Sequence, residues 1–256
     1  MLQLRQETLN VLISTLGYVQ NINFTDHWKR TALHQAADYG HKDVVELLLS
    51  KGASVEATDM FKDTPLHKAA IYGRNSIVEL LLTNGAPIEA KGHFNNTPLH
   101  NAVARGKTST VELLLSKGAS VEVMNDFSDA PLHTAALEGY TSMVQLLLTE
   151  GALVDAPDKY NNTPLHFAAQ KDRLRTVELL LAKGASIAAR NHGNNTPLHN
   201  AALYGCTRTV KLLLAKGASI EAINSQNETP LSLATLCGYT DTMKLLENKA
   251  AELGIE

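Results

Sequence analysis

The chain has 256 residues, 44% hydrophobic and 19% charged, which is apolar enough to bury a core and argues against a disordered chain. A formal net charge of −3 supplies no broad positive field for phosphate backbones, and no run of about 18 apolar residues is present to span a bilayer. Aromatic content is only 5%, thirteen residues in all, which is lean for the bulky core of a β-sandwich or barrel.

In chain order, residues 1–24 carry no secretory pattern. Within them ETLNVLISTLGYVQNI, residues 7–22, predicts a helix that covers the N-terminal end of the fold as a cap. From residue 25 onward the chain repeats itself. TPLH starts at Thr64, Thr97, Thr163 and Thr196, with TALH at Thr31, APLH at Ala130 and TPLS at Thr229, each 33 residues from the next. The units are 25–57, 58–90, 91–123, 124–156, 157–189 and 190–222, followed by a seventh, 223–256.

Each unit reads as two helices and a turn. Thr-Pro is a helix start, because the hydroxyl serves a free backbone N–H and proline at the first helical position loses none of its own. Six of the eight prolines stand in that column. The first helix passes through paired small residues and stops at a glycine, Gly40 in the first unit and Gly73 in the second. A second, apolar helix built on Val-Glu-Leu-Leu-Leu ends at Gly52 and its equivalents, with lysines such as Lys51 and Lys117 at the carbonyl end. The polar stretch leading to the next TPLH, with Asn95-Asn96 or Asn161-Asn162, predicts a projecting hairpin-like turn. In the seventh unit Glu247 replaces a leucine and Lys244, Lys249 and Glu252 add charge, predicting a solubilising C-terminal cap and hence a complete array forming a single domain over residues 1–256.

These seven copies of turn, T-P-L-H-x-A-A, G, V-x-x-L-L-x-x-G-A resemble the ankyrin repeat family over about nine-tenths of the chain. The resemblance implies an all-α fold, an α-solenoid of stacked helix-turn-helix repeats with projecting β-hairpin-like fingers. It also implies that the histidines His34, His67, His100, His133, His166 and His199 hydrogen-bond within and between turns. Equivalent positions lie about 10 Å apart, too far to share a metal ion. Two departures stand out. A loop column that is commonly asparagine in the family, where it can be hydroxylated, reads Glu56, Glu89, Glu122, Asp155, Ala188 and Glu221. Asp172 replaces the first helix-stop glycine of the fifth unit, which predicts a weak point or a bend between the fifth and sixth.

No nucleophile elbow, phosphate loop or His-Glu-x-x-His motif occurs, so no enzyme activity, catalytic residue, metal or cofactor is expected. The two cysteines, Cys206 and Cys237, lack metal-spaced partners and fit a reducing compartment. The informative column lies three residues before the TPLH threonine and reads Trp28, Phe61, Phe94, Phe127, Tyr160, Gly193 and Gln226. Five consecutive aromatics there predict an apolar ridge of roughly 40 Å, at one helix-packing distance per repeat, suited to an extended peptide or a folded domain. Beside it, Tyr39, Tyr72 and Arg105 stand where the family places the edge of its concave face. The alternative is that the aromatics pack on one another and only stiffen the fingers. Neighbouring charges, Asp26, Asp59, Lys62, Asp63, Asp126, Asp129 and Lys159, are expected to tune specificity.

The expected function is therefore a non-enzymatic scaffold or adaptor, a cytoplasmic monomer that binds a protein partner and neither nucleic acid nor membrane. A nuclear location stays open. The other readings are an inhibitor that occludes an enzyme's active site, or a host-directed effector of an intracellular bacterium or virus acting in the host cytosol through the same surface.

Overall fold

The computed structural model describes residues 21–255. The predicted N-terminal cap helix lies outside the described residues over most of its length. The described residues contain fourteen α-helices, one short 3-10 turn and no strand, so the all-α expectation holds. The chain divides into two compact units, one ending at Ser120 and one beginning at Val121.

The first unit holds three helix pairs: α1 (Ala32–Tyr39) with α2 (Lys42–Ser50), α3 (Pro65–Tyr72) with α4 (Asn75–Thr83), and α5 (Pro98–Ala104) with α6 (Thr108–Ser116). Within it α3 packs between α1 and α5, and α4 between α2 and α6, making two parallel layers. The second unit holds α7 (Pro131–Glu138), α8 (Thr141–Thr149), α9 (Pro164–Gln170), α10 (Leu174–Ala182), α11 (Pro197–Leu203), α12 (Thr207–Ala215), α13 (Pro230–Leu236) and α14 (Thr240–Leu253). Within it the odd-numbered first helices stack in one layer and the even-numbered second helices in another.

The layers form because each helix is apolar where it meets its neighbours. Leu33, Leu66, Leu99, Leu132, Leu165 and Leu198 are buried in the first helices, as are the paired alanines behind them, replaced by Ala102 and Val103 in the third repeat. The valine and the middle leucine of the second helices, such as Val45 and Leu48 or Val177 and Leu180, fill the space between layers. Each such leucine contributes about 2 kcal/mol of hydrophobic free energy, and the alanines let the first helices approach closely. The last helix, α14, buries only Thr242 and Leu246 of its fourteen residues, while Leu236 and Leu253 near the C-terminus stay exposed.

Helix starts and stops follow the sequence, with one device it did not disclose. The threonine hydroxyl before the first helix accepts an N–H at a long 3.4 Å in the first, third and sixth repeats and at 3.2 Å in the seventh. The stronger bond runs the other way: Nδ1 of the TPLH histidine accepts the threonine's own backbone N–H at 3.0 to 3.2 Å. The histidine thus stands in for the glutamate of a capping box. It still serves at Ala130, where no hydroxyl exists, and Ser232 Oγ replaces it in the seventh repeat.

Asp172 adopts the left-handed φ of +53° of the glycine it replaces. Its carboxylate accepts both the backbone N–H (3.1 Å) and the hydroxyl (2.8 Å) of Thr209, in the first turn of α12. The expected weak point is therefore also a tie to the next repeat, in which a side chain caps a neighbouring helix.

Candidate functional site

The site is built on the turns between helix pairs. In the first, the N–H of Asp26 donates to the carbonyl of Arg30 and that of Lys29 to the carbonyl of Asp26, closing a hairpin whose fourth residue, Lys29, has a positive φ. The same two bonds recur on Asp59, Gly92, Asn125, Asp158, Asn191 and Asn224. Where the first residue is Asp or Asn, its Oδ1 also accepts the N–H groups two and four residues on, at 2.7 to 3.0 Å. These are Asx turns, and each holds the column residue by its own backbone N–H, an aromatic in four of the six. The hairpin-like fingers are thus present as turns, with one isolated antiparallel bridge, Thr25 to Thr31, and no strands among the described residues.

Gly92 is the exception in that column, and the reason is spatial. A Cβ there would collide with the Asp63 carboxylate and the His67 imidazole. Asp63 Oδ1 instead reaches across to accept the N–H of His93. Without an Asx side chain this finger takes a different turn, with Phe94 and Asn95 both at positive φ, 53° and 56°.

Fingers are joined to their neighbours through the backbone. The carbonyl of Trp28 accepts the N–H of Met60 (2.9 Å), and in the second unit Phe127, Tyr160 and Gly193 accept from Lys159, His192 and Ser225. The TPLH histidines add a second tie. Nε2 of His34, His67, His166 and His199 donates to the carbonyls of Asp63, Asn96, Asn195 and Glu228 in the next finger, at 2.9 to 3.1 Å. His133 Nε2 donates to Ala156 instead. With Nδ1 accepting and Nε2 donating, each ring is neutral. Burial drives the pKa of His34, His67, His166 and His199 below the ordinary imidazole value, outweighing the carbonyls and nearby carboxylates that pull it up.

All five aromatics of the column are exposed, from 38% at Phe127 to 56% at Tyr160. Each unit pairs them with cations or histidine. The Arg30 guanidinium, held by Asp26, lies 4.4 Å from the centre of the Trp28 ring. In the same unit His93 lies edge-on to Phe61 at 5.3 Å and touches Phe94 at 3.9 Å. In the second unit Lys159 sits 4.4 Å from the Phe127 ring and 5.0 Å from that of Tyr160.

On the first unit the structure brings four of the expected residues together. A cavity of about 270 Å³ is lined by Trp28, Phe61, Tyr72 and Arg105, with Arg30, His34, Asp38, Asp59, Lys68 and Ile71. Tyr39 is not among them; it is exposed and stacked on His41. Phe94 is not among them either. Two of the lining residues, Asp59 and Lys68, belong to an ion triad that the sequence did not reveal: Lys68 Nζ lies 2.8 Å from both Asp59 Oδ2 and Asp63 Oδ2. Burial pushes Asp63 up, but the Lys68 ammonium overrides it and holds the carboxyl below its usual range. Burial likewise lowers Lys68, and its two carboxylates more than restore it, leaving it above the usual lysine value. Asp59 and Asp63, expected as surface charges that tune specificity, are in fact buried. The signal was available: an Asp or Asn five residues before the TPLH threonine in six of seven repeats.

The loop column that departs from the family has a structural task. Carboxylates of Glu89, Glu122 and Asp155 accept the N–H of Ser120, Leu153 and Ser186 in the following repeat. The column begins with Asn23, whose Oδ1 accepts the N–H of Ser54 at 2.8 Å. Among the described residues no helix is long and apolar enough to cross a membrane.

A family model described as ankyrin repeats (3 copies) matches residues 3–92, 58–125, 99–191 and 187–256. Among solved structures, the human ASB11 ankyrin repeat domain is similar at a TM-score of 0.74 and 30% identity, over 80% of this chain and 92% of that one. A comparison with curated proteins gives no match.

Proposed function

Because the chain belongs to the ankyrin repeat family, whose fold serves generally as a protein–protein interaction module, we propose that it is a non-enzymatic scaffold binding a protein partner through its fingers and inner helix edge. The proposed contact residues are Trp28, Phe61, Phe94, Tyr39, Tyr72 and Arg105 in the first unit and Phe127 and Tyr160 in the second. The observation that carries this reading is that the backbone links the fingers without help from these side chains: Gly193 accepts the same inter-finger bond as Phe127 and Tyr160. An aromatic is thus not required for stiffness, yet five are kept about half exposed. Phe94 strengthens the point, since a bulky residue at a φ of +53° is strained where glycine or asparagine would sit more easily. Cys206 and Cys237 are unpaired thiols, in keeping with a reducing compartment.

The test replaces Phe61, Phe94 and Phe127 by serine together and records melting and capture of partners from lysate. Lost capture with a melt within about 2 °C of the parent supports binding. Unchanged capture with a large fall in melting temperature returns the column to a stiffening role. If the captured protein is an enzyme whose turnover falls on adding the chain, the scaffold acts as an inhibitor.

A further inference from the structure

We infer that the first unit's surface is selective for an acidic peptide segment carrying a large apolar residue, although the chain as a whole is negatively charged. This rests on the reading of the fingers as a binding surface and adds the chemistry of the occupant. It follows from where the charges of fingers one and two point. Their carboxylates are turned inward: Asp26 holds Arg30 and two backbone N–H groups, while Asp59 and Asp63 are buried on Lys68. The cations are not so engaged. Lys29 and Lys62, beside Trp28 and Phe61 at the fingertips, and Arg105, at the cavity wall, are exposed. None of the three makes an ion pair among the described residues.

Folding therefore sorts the charge of fingers one and two, with their acids engaged and their lysines free, beside an aromatic-walled cavity of about 270 Å³. Space for one large side chain beside three unpaired cations is complementary to an apolar residue flanked by Asp or Glu. Asp38, also on the wall, makes no ion pair through its carboxylate among the described residues; Arg74 Nε donates only to its backbone carbonyl, at 3.4 Å. Its carboxylate can accept a peptide N–H at the apolar residue's end of the site. A cavity with room for one apolar side chain and a few unpaired cations around it favours an acidic peptide over single-stranded nucleic acid, which carries a phosphate at every residue and needs a continuous basic track and stacking platforms.

The backbone offers a clean perturbation. Lys29 and Lys62 occupy the left-handed position that asparagine fills in Asn161, Asn194 and Asn227, so Lys29→Asn and Lys62→Asn suit the turn better than the lysines. Combined with Arg105→Gln they remove the three charges while leaving the cavity's aromatic walls.

The experiment pans a phage-displayed random 12-mer peptide library on the full chain and measures the selected peptides by fluorescence anisotropy. Expected are sequences with Asp or Glu beside Phe, Leu or Trp. Their affinity falls about tenfold in the triple charge variant, three exposed pairs being lost, and falls again with added salt, while the melt is unchanged. Enrichment of neutral or basic peptides overturns the inference. So does binding that Phe61→Ser weakens and the charge variant does not, an outcome that leaves the finger surface standing. Binding indifferent to both variants overturns the finger reading as well. No selected peptide, or tighter binding of a dT12 oligonucleotide than of any peptide, also rejects the acidic-peptide occupant.

Discussion

A buried imidazole with both nitrogens bonded behaves differently from a metal ligand, and His34, His67, His133, His166 and His199 are of the first kind. In His166, Nδ1 accepts from Thr163 N–H at 3.1 Å and Nε2 donates to Asn195 O at 3.0 Å. Replacing it by leucine keeps the volume and orphans a buried donor and acceptor, so stability should fall by about 2–4 kcal/mol in a urea melt. The same groups set a pH dependence. Four of these rings have folded pKa values below the 6.5 of the free side chain. Above that value both states leave the rings neutral and stability is level. As pH falls below 6.5 the unfolded chain takes up protons that the folded chain resists, and each ring removes up to about 1.4 kcal/mol per pH unit until its folded pKa is reached. Urea midpoints at pH 7.5 and 5.5 should differ in that direction, and the difference should shrink in His166→Leu.

At the scale of the element, the helix–turn–helix units were legible because their signals are local. Thr-Pro, the small-residue pair and the stop glycine act within one turn of chain, and the helices start and stop where those residues stand. The finger was legible as a turn but not as a device. An aspartate in a polar loop looks like a solvated charge until the backbone places it four residues from the N–H it accepts, as Asp59 does with Asp63. Asp172 shows the converse, where the sequence disclosed a cost and the neighbouring repeat supplied a compensation. Asp172→Ala keeps the left-handed strain and removes the bonds to Thr209, and should cost about 2 kcal/mol. Asp172→Gly relieves the strain while losing the same bonds, and should fall well short of that in a parallel thermal melt. Gly92→Ala should destabilise more than either, because the added methyl meets buried Asp63 and His67 rather than solvent.

At the scale of the molecule, a net charge of −3 conceals an uneven distribution. The chain should pass through a DNA-cellulose column at physiological salt, because a chain of net charge −3 without a broad basic field releases too few counterions to hold it. Retention under those conditions would contradict the protein-binding assignment.

The 33-residue period, the helix pairs, the buried leucines and the exposure of the aromatic column were determined by the sequence itself, since capping, periodicity and burial are decided within a few residues of each position. The company those residues keep was decided only in three dimensions. Trp28, Phe61, Tyr72 and Arg105 come from three different repeats and line one cavity, whereas Tyr39, in the same column as Tyr72, lies outside it. The burial of Asp59 and Asp63 on Lys68 likewise depends on an α3 side chain folding back over the finger. Stacking turns a repeated local pattern into neighbouring surfaces, and the differences between repeats acquire a chemical meaning only once those surfaces meet.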